Sequence, residues 1–179
     1  MKIIAAQAEH TEDIARLLLL AMGDIVARFL QNDDADLAFS FMKEMVQTTG
    51  TQYALENCRV ALLEDAVAGA ICLYDGANLH TLRQPVAAYV ERATGKTFSP
   101  EDETEAGETY IDCIAVFPQY RGKGIAGELI TYAKKERADC TLGLLVDKPD
   151  AKRLYEKLGF KTVGTKYLTG KPLEHMQLS

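Results

Sequence analysis

The chain has 179 residues, 47% of them hydrophobic and 26% charged, and a formal net charge of -6 at pH 7. That length fits one domain with a sizeable core, and the composition excludes a disordered or fibrous chain. The acidic balance disfavours nonspecific binding to nucleic acid and mildly favours cationic partners such as amines.

Lys2 to Ala8 reads as a short strand, and from Thr11 the apolar positions Ile14, Leu17, Leu18, Ala21 and Ile25 recur at helical spacing. The apolar run Leu17 to Met22 is far too short to cross a membrane, and Glu9, Glu12 and Asp13 stand where a secretory signal would be basic. Neither export nor membrane insertion is expected. Leu37, Phe41 and Met45 repeat every fourth residue, predicting a second helix from about Asp36 until Thr48, Thr49 and Gly50 stop it. Arg59 to Glu64 and Val67 to Tyr74 are extended apolar runs joined by Glu64, Asp65 and Ala66, which predicts a hairpin.

Leu82 to Ala93 predicts a third helix with Pro85 in its first turn, where a missing N-H matters least. The acidic segment SPEDETEAGE that follows is most simply a solvated loop, with an acidic lure for a cationic substrate as the functional alternative. Next come a strand from Thr109 to Val116, a glycine-containing joint, a helix to about Ala138 and a strand from Thr141 to Val146. A helix from Asp150 to Leu158 and strands Phe160 to Leu168 and Leu173 to Leu178, turning at Gly170, complete the chain.

Cys58, Cys72, Cys113 and Cys140 form no CxxC pair, which argues against a zinc ribbon or a thioredoxin-type motif and fits reduced thiols in a cytoplasmic protein. His10, His80 and His175 have no metal-ligand spacing, so no metal is expected. The joint FPQYRGKGIAG carries the clearest chemistry. A helix starting just after a strand offers unpaired N-H groups and the positive end of its dipole, and Arg121 and Lys123 add charge, so the natural guest is a phosphate or pyrophosphate. Lys123 is followed by Gly124, which excludes a P-loop. Gly122, Gly124 and Gly127 spell GxGxxG, and Asp147 lies about where an NAD(P) site would place its ribose-binding acid. Against that redox reading, Pro118 to Arg121 separate the strand from the first glycine, and too little chain follows for a second nucleotide-binding half.

Gln119, Tyr120, Arg121, Gly122, Lys123 and Gly124 fit Q/R-x-x-G-x-G/A, and Ala151, Leu154, Tyr155, Gly159 and Phe160 fit A-x-x-L-Y-x-x-x-G-F. Together, one helix and one strand apart, they resemble the GNAT superfamily, the Gcn5-related N-acetyltransferases. The resemblance implies an α/β (α+β) fold filling residues 1–179 as one domain, with a mixed, mostly antiparallel sheet of about seven strands, splayed between the fourth and fifth, and helices on both faces. It implies acetyl-CoA as cosubstrate. The pyrophosphate of coenzyme A would rest on Arg121, Gly122, Lys123, Gly124, Ile125 and Ala126, near Gln119. The pantetheine arm would run along Ile114, Ala115 and Val116 beside a bulge. Tyr155 would donate a proton to the leaving sulfur, and an amide near Ile114 or Ala115 would hold the oxyanion.

A primary alkylamine, of pKa about 10, must lose a proton before it can attack. Asp112 is the first candidate base, and Glu108 the second. Cys113 reads as a packing thiol rather than a nucleophile. Lys148 stands where many family members carry Asn, and Asp147 with Asp150 is spaced to cap the helix in its place. The expected activity is acetyl transfer to an amine on a small molecule or protein by direct attack in a ternary complex. The alternatives are a coenzyme A-binding sensor or scaffold and, behind it, the NAD(P) domain. Homodimers are common among proteins of this resemblance.

Overall fold

A computed structural model describes residues 1–179. Its strands are β1 (Lys2–Ala5), β2 (Cys58–Leu63), β3 (Ala66–Asp75), β4 (Glu108–Val116), β5 (Thr141–Val146), β6 (Lys161–Leu168) and β7 (Lys171–Leu178). Its helices are α1 (Thr11–Leu30), α2 (Ala35–Gln47), α3 (Leu79–Thr94), α4 (Ile125–Glu136) and α5 (Pro149–Lys157). The strands form one seven-stranded sheet in the order β1-β2-β3-β4-β5-β7-β6. Every neighbouring pair is antiparallel except β4 and β5. A run of strands with one parallel pair contradicts the parallel, doubly wound sheet of the NAD(P) reading.

Strand alternation explains why both faces are covered. Val60, Ala70 and Cys72 turn to one side and pack with Leu17, Phe41 and Val86 from α1, α2 and α3. Ala61, Ile71 and Leu73 turn to the other and pack with Leu129, Ile130 and Tyr155 from α4 and α5. β3 is therefore apolar almost throughout, from Val67 to Tyr74. Its hairpin with β2 turns at Glu64 and Asp65, whose φ values of 49° and 64° give the left-handed pair that suits strand twist.

Several expected boundaries shift. β1 stops at Ala5 because Ala8–His10 forms a 3-10 turn, with the Gln7 amide donating to His10 Nδ1 at 3.0 Å. α3 begins at Leu79 because the Asp75 carboxylate accepts the Ala77 N-H at 2.9 Å and organises a lead-in turn, which leaves Pro85 inside the helix rather than in its first turn. The acidic segment is not a solvated loop. Glu103 and Thr104 are buried, and Glu101 accepts the amides of Thr169 and Gly170 at 2.8 and 2.9 Å in the turn between β6 and β7. It is a strap from α3 to the far hairpin.

Two features of β4 shape the centre of the molecule. Cys72 faces Cys113 but Leu73 faces Ile111, so Asp112 is the extra residue of a β-bulge. β4 pairs with β5 only where Glu108, Thr109 and Tyr110 face Thr141, Leu142 and Gly143. Beyond Tyr110 the strands part, and β5 from Leu142 to Val146 keeps β7 as its partner. The sheet therefore opens as a V on the β5 side of the bulge.

Candidate active site

A cavity of about 1470 Å³ runs through this V from the α1 side to the α4 and α5 side. Ile111 to Val116 of β4 and Leu144 to Val146 of β5 form its two arms, and Met22, Ile25 and Phe29 of α1 close one end. Past Tyr110, the β5-facing edge of β4 has no strand partner, so Ile114, Ala115 and Val116 offer main-chain groups to whatever lies in the gap. The Val116 carbonyl also accepts Arg121 Nε at 3.2 Å.

The glycine joint sits at the mouth of the gap. Pro118–Tyr120 make a 3-10 turn, and Gly122 and Gly124 follow with φ of 76° and 77°. A Cβ at either glycine would meet nothing within 4 Å, so the left-handed backbone is what demands glycine here. The first α4 amide with a backbone acceptor is Glu128, bonded to Gly124 O at 3.1 Å, which leaves those of Gly122 to Gly127 available to a ligand. Arg121, Gly122, Gly124, Ile125 and Ala126 line the cavity. Gln119 and Lys123 are exposed outside the lining, with the Lys123 ammonium 5.6 Å from the Tyr120 ring centre.

Asp112 and Tyr155 both line the cavity. Half-buried at its bulge, Asp112 accepts Gln52 Nε2 at 2.9 Å. Burial, and then the nearby Glu103 carboxylate, push its pKa up to about 7, against hydrogen bonds from Gln52 and Tyr74 and the charge of Arg83. Tyr155 is 8% exposed and packs on Phe160 with ring centres 5.7 Å apart. Burial foremost, then Cys113, pushes its pKa up to about 12, so the phenol keeps its proton at neutral pH.

Glu108 is not brought to the cavity. It is buried where β4, β5 and β7 meet, 2.7 Å from Thr104 Oγ1 and 2.8 Å from both His175 Nε2 and Gln177 Nε2. Its carboxylate fills the space a Cβ at Gly143 would need, which marks it as a packing and register element. Cys113 is buried, and burial first and Asp112 next push its thiol well above the usual range, so it stays protonated. The capping pair expected for α5 does not form. Lys148 occupies the N-cap without a side-chain bond, Asp147 pairs with Lys171, and Asp150 pairs with Arg153 at 2.7 Å.

Sequence reasoning missed the polar group beneath Asp112. Gln52, Tyr74, Arg83 and Glu103 converge there from the segment before β2, from β3, from α3 and from the strap. The one local signal is a Glu-Thr pair inside an acidic run, and nothing in sequence links it to a glutamine 51 residues earlier.

Sheet order, splay and glycine joint together define the acetyltransferase fold of the Gcn5-related type. The chain belongs to the GNAT family, whose acetyltransferase (GNAT) domain model matches residues 54–162. Among solved structures, an N-acetyltransferase from Staphylococcus aureus Mu50 superposes with a TM-score of 0.88 at 24% identity, covering 99% of this chain and 100% of that one. A protein described as an acetyltransferase gives 0.80 at 27% identity, covering 99% and 98%. The PaiA N-acetyltransferase from Thermoplasma acidophilum, solved in complex with coenzyme A, gives 0.57 at 15% identity, covering 98% and 96%. A search of curated proteins finds no match. No helix is long and apolar enough to cross a membrane.

Proposed function

We propose that this protein is an acetyl-CoA-dependent N-acetyltransferase acting on a primary amine of a small molecule or protein, by direct attack with both substrates bound. The observation that carries the reading is the single cavity in which free amides after β4, an unpaired strand edge, a carboxylate and a phenol meet. The residues fit coenzyme A. The amides of Gly122 to Gly127 would hold the pyrophosphate at the α4 N-terminus, with Arg121 beside them, and the free edge of β4 from Ile114 to Val116 would hold the arm. When bound, the cosubstrate supplies an acetyl group activated as a thioester.

The chain's own part is proton management and positioning. Asp112, its pKa raised to about 7 by burial and by Glu103, accepts the proton that an alkylammonium must lose. Amides on the β4 edge that lacks a β5 partner, near the bulge, would stabilise developing negative charge on an acyl oxygen. Tyr155, held protonated by its burial, serves as proton donor to a departing sulfur. The test is thiol release from acetyl-CoA across a panel of amines. Release that depends on an added amine supports the reading. Micromolar coenzyme A binding without turnover on any amine would instead make the protein a cofactor-binding sensor.

A further inference from the structure

The buried polar group beneath Asp112 has a charge pattern that packing alone does not require. Gln52 is 4% exposed and Glu103 5% exposed. The Gln52 side-chain amide donates to Asp112 Oδ2 at 2.9 Å and to Glu103 Oε1 at 3.3 Å, and it lies 3.2 Å from the Tyr53 hydroxyl. The Tyr74 hydroxyl donates to Glu103 Oε1 at 3.2 Å. Arg83 Nη2 pairs with the other Glu103 oxygen, while its Nη1 reaches Asp102 at 2.9 Å and Pro100 O at 3.1 Å. Two carboxylates thus share one amide bridge, and only Glu103 has a cation of its own.

We propose that Glu103 is a positioning residue that sets the ionisation of Asp112 through Gln52, with Arg83 paired to Glu103 and fixing its place. The inference rests on Asp112 being the base of the proposed transferase, but the coupling itself does not need turnover.

The neighbours of Asp112 leave few other sources of control. Tyr53, Tyr74, Tyr110 and Cys72 are buried, and burial foremost keeps the three phenols neutral, while the adjoining Cys58 and then burial keep the Cys72 thiol neutral. Cys113 beside it and Tyr155 across the gap are likewise held protonated, chiefly by burial. The charged groups that act most on Asp112 are Glu103 on the strap and Arg83 on α3, while Asp24 and Arg28 of α1, Arg121 of the glycine joint, Lys148, Asp150 and Arg153 at α5, and Asp147 and Lys171 line the same cavity. Glu103 repels a second negative charge and favours protonated Asp112, whereas the Gln52 N-H favours the carboxylate. A strap anchored at Glu101 to the Thr169–Gly170 turn carries Glu103, so the position of this charge is tied to the hairpin that helps close the cavity.

Opposite effects at two touching residues supply the test. In protein labelled with ¹³C at the aspartate carboxyls, the Asp112 titration is followed by NMR alongside the acid limb of kcat/KM. Glu103→Gln should lower the midpoint by roughly one pH unit, since it removes the like charge and frees Arg83 to act on Asp112. Gln52→Leu removes the hydrogen bond and should raise the midpoint by a similar amount. A lower midpoint in Glu103→Gln together with a higher one in Gln52→Leu supports the proposal. A midpoint unchanged or raised in Glu103→Gln overturns it whatever Gln52→Leu does, and if Glu103→Gln does not fold, an unchanged or lowered midpoint in Gln52→Leu overturns it alone. A coupled titration in a protein that acetylates no amine would remove the transferase reading while leaving the coupling intact.

Discussion

The two residues proposed for proton transfer have opposite requirements and different surroundings. Asp112 must be ionised to accept a proton and Tyr155 protonated to give one, with pKa values of about 7 and about 12. kcat/KM should therefore rise with pH through about 7 and stay level to the alkaline end of the practical range, because the fall due to Tyr155 lies near 12. Tyr155→Phe should cut kcat roughly 100-fold with coenzyme A affinity unchanged by calorimetry. A variant as fast as the parent at every pH would remove the donor role. Asp112→Asn should abolish the rise near neutrality, and it carries a stability signature as well. The folded pKa of Asp112 is raised above that of the unfolded chain, so its contribution to stability is fully present below the ordinary carboxylate range and is lost as pH rises towards about 7. Thermal melts at pH 5 and pH 8 should therefore differ less in Asp112→Asn than in the parent. Tyr155 was legible because its helix carries a recognisable spacing of Ala151, Leu154, Gly159 and Phe160. Glu108 ranked second to Asp112 as a base on the same strand, yet Asp112 is the extra residue of the bulge and lines the cavity, whereas Glu108 is held by Thr104, His175 and Gln177. One-letter spacing does not reveal a bulge.

Among the elements, β4 does the most to shape the site, since it pairs with β3 on either side of the bulge at Asp112, leaves β5 after three residues and delivers the glycine joint. Where the strands still touch, Gly143 admits the Glu108 carboxylate, which Thr104, His175 and Gln177 hold in place. Gly143→Ala forces backbone and carboxylate apart and should cost at least about 2 kcal/mol in denaturant unfolding. An unchanged midpoint would show that the apex of the V tolerates rearrangement. The strap makes a separate prediction. Glu101→Ala removes the acceptor of the Thr169 and Gly170 amides, so these should exchange with deuterium several-fold faster while the β2–β3 hairpin is unaffected. The regular elements were readable from periodicity, with Thr141–Val146 matching to the residue. The strap was not, because a run of acids resembles a solvated loop until the partners 68 and 69 residues away are known.

Over the whole molecule, the two apolar clusters on opposite faces hold a sheet that is continuous at one end and open at the other. The opening connects the N-terminus of α4 with a compartment bounded by α1, α3 and the strap, so that under the proposed function cofactor and acceptor would enter from different sides. The overall architecture could be anticipated because two motifs in the right order fix five consecutive elements, from β4 to β6. The acceptor compartment could not, since its walls come from segments that no motif covers. The most direct measurement is a titration of ¹⁵N-labelled protein with coenzyme A, following the backbone amides by NMR. Shifts concentrated at Gly122 to Gly127 and Asp112 to Val116 are the predicted result. Saturable binding that leaves those amides unmoved, or no binding at millimolar ligand, would contradict it.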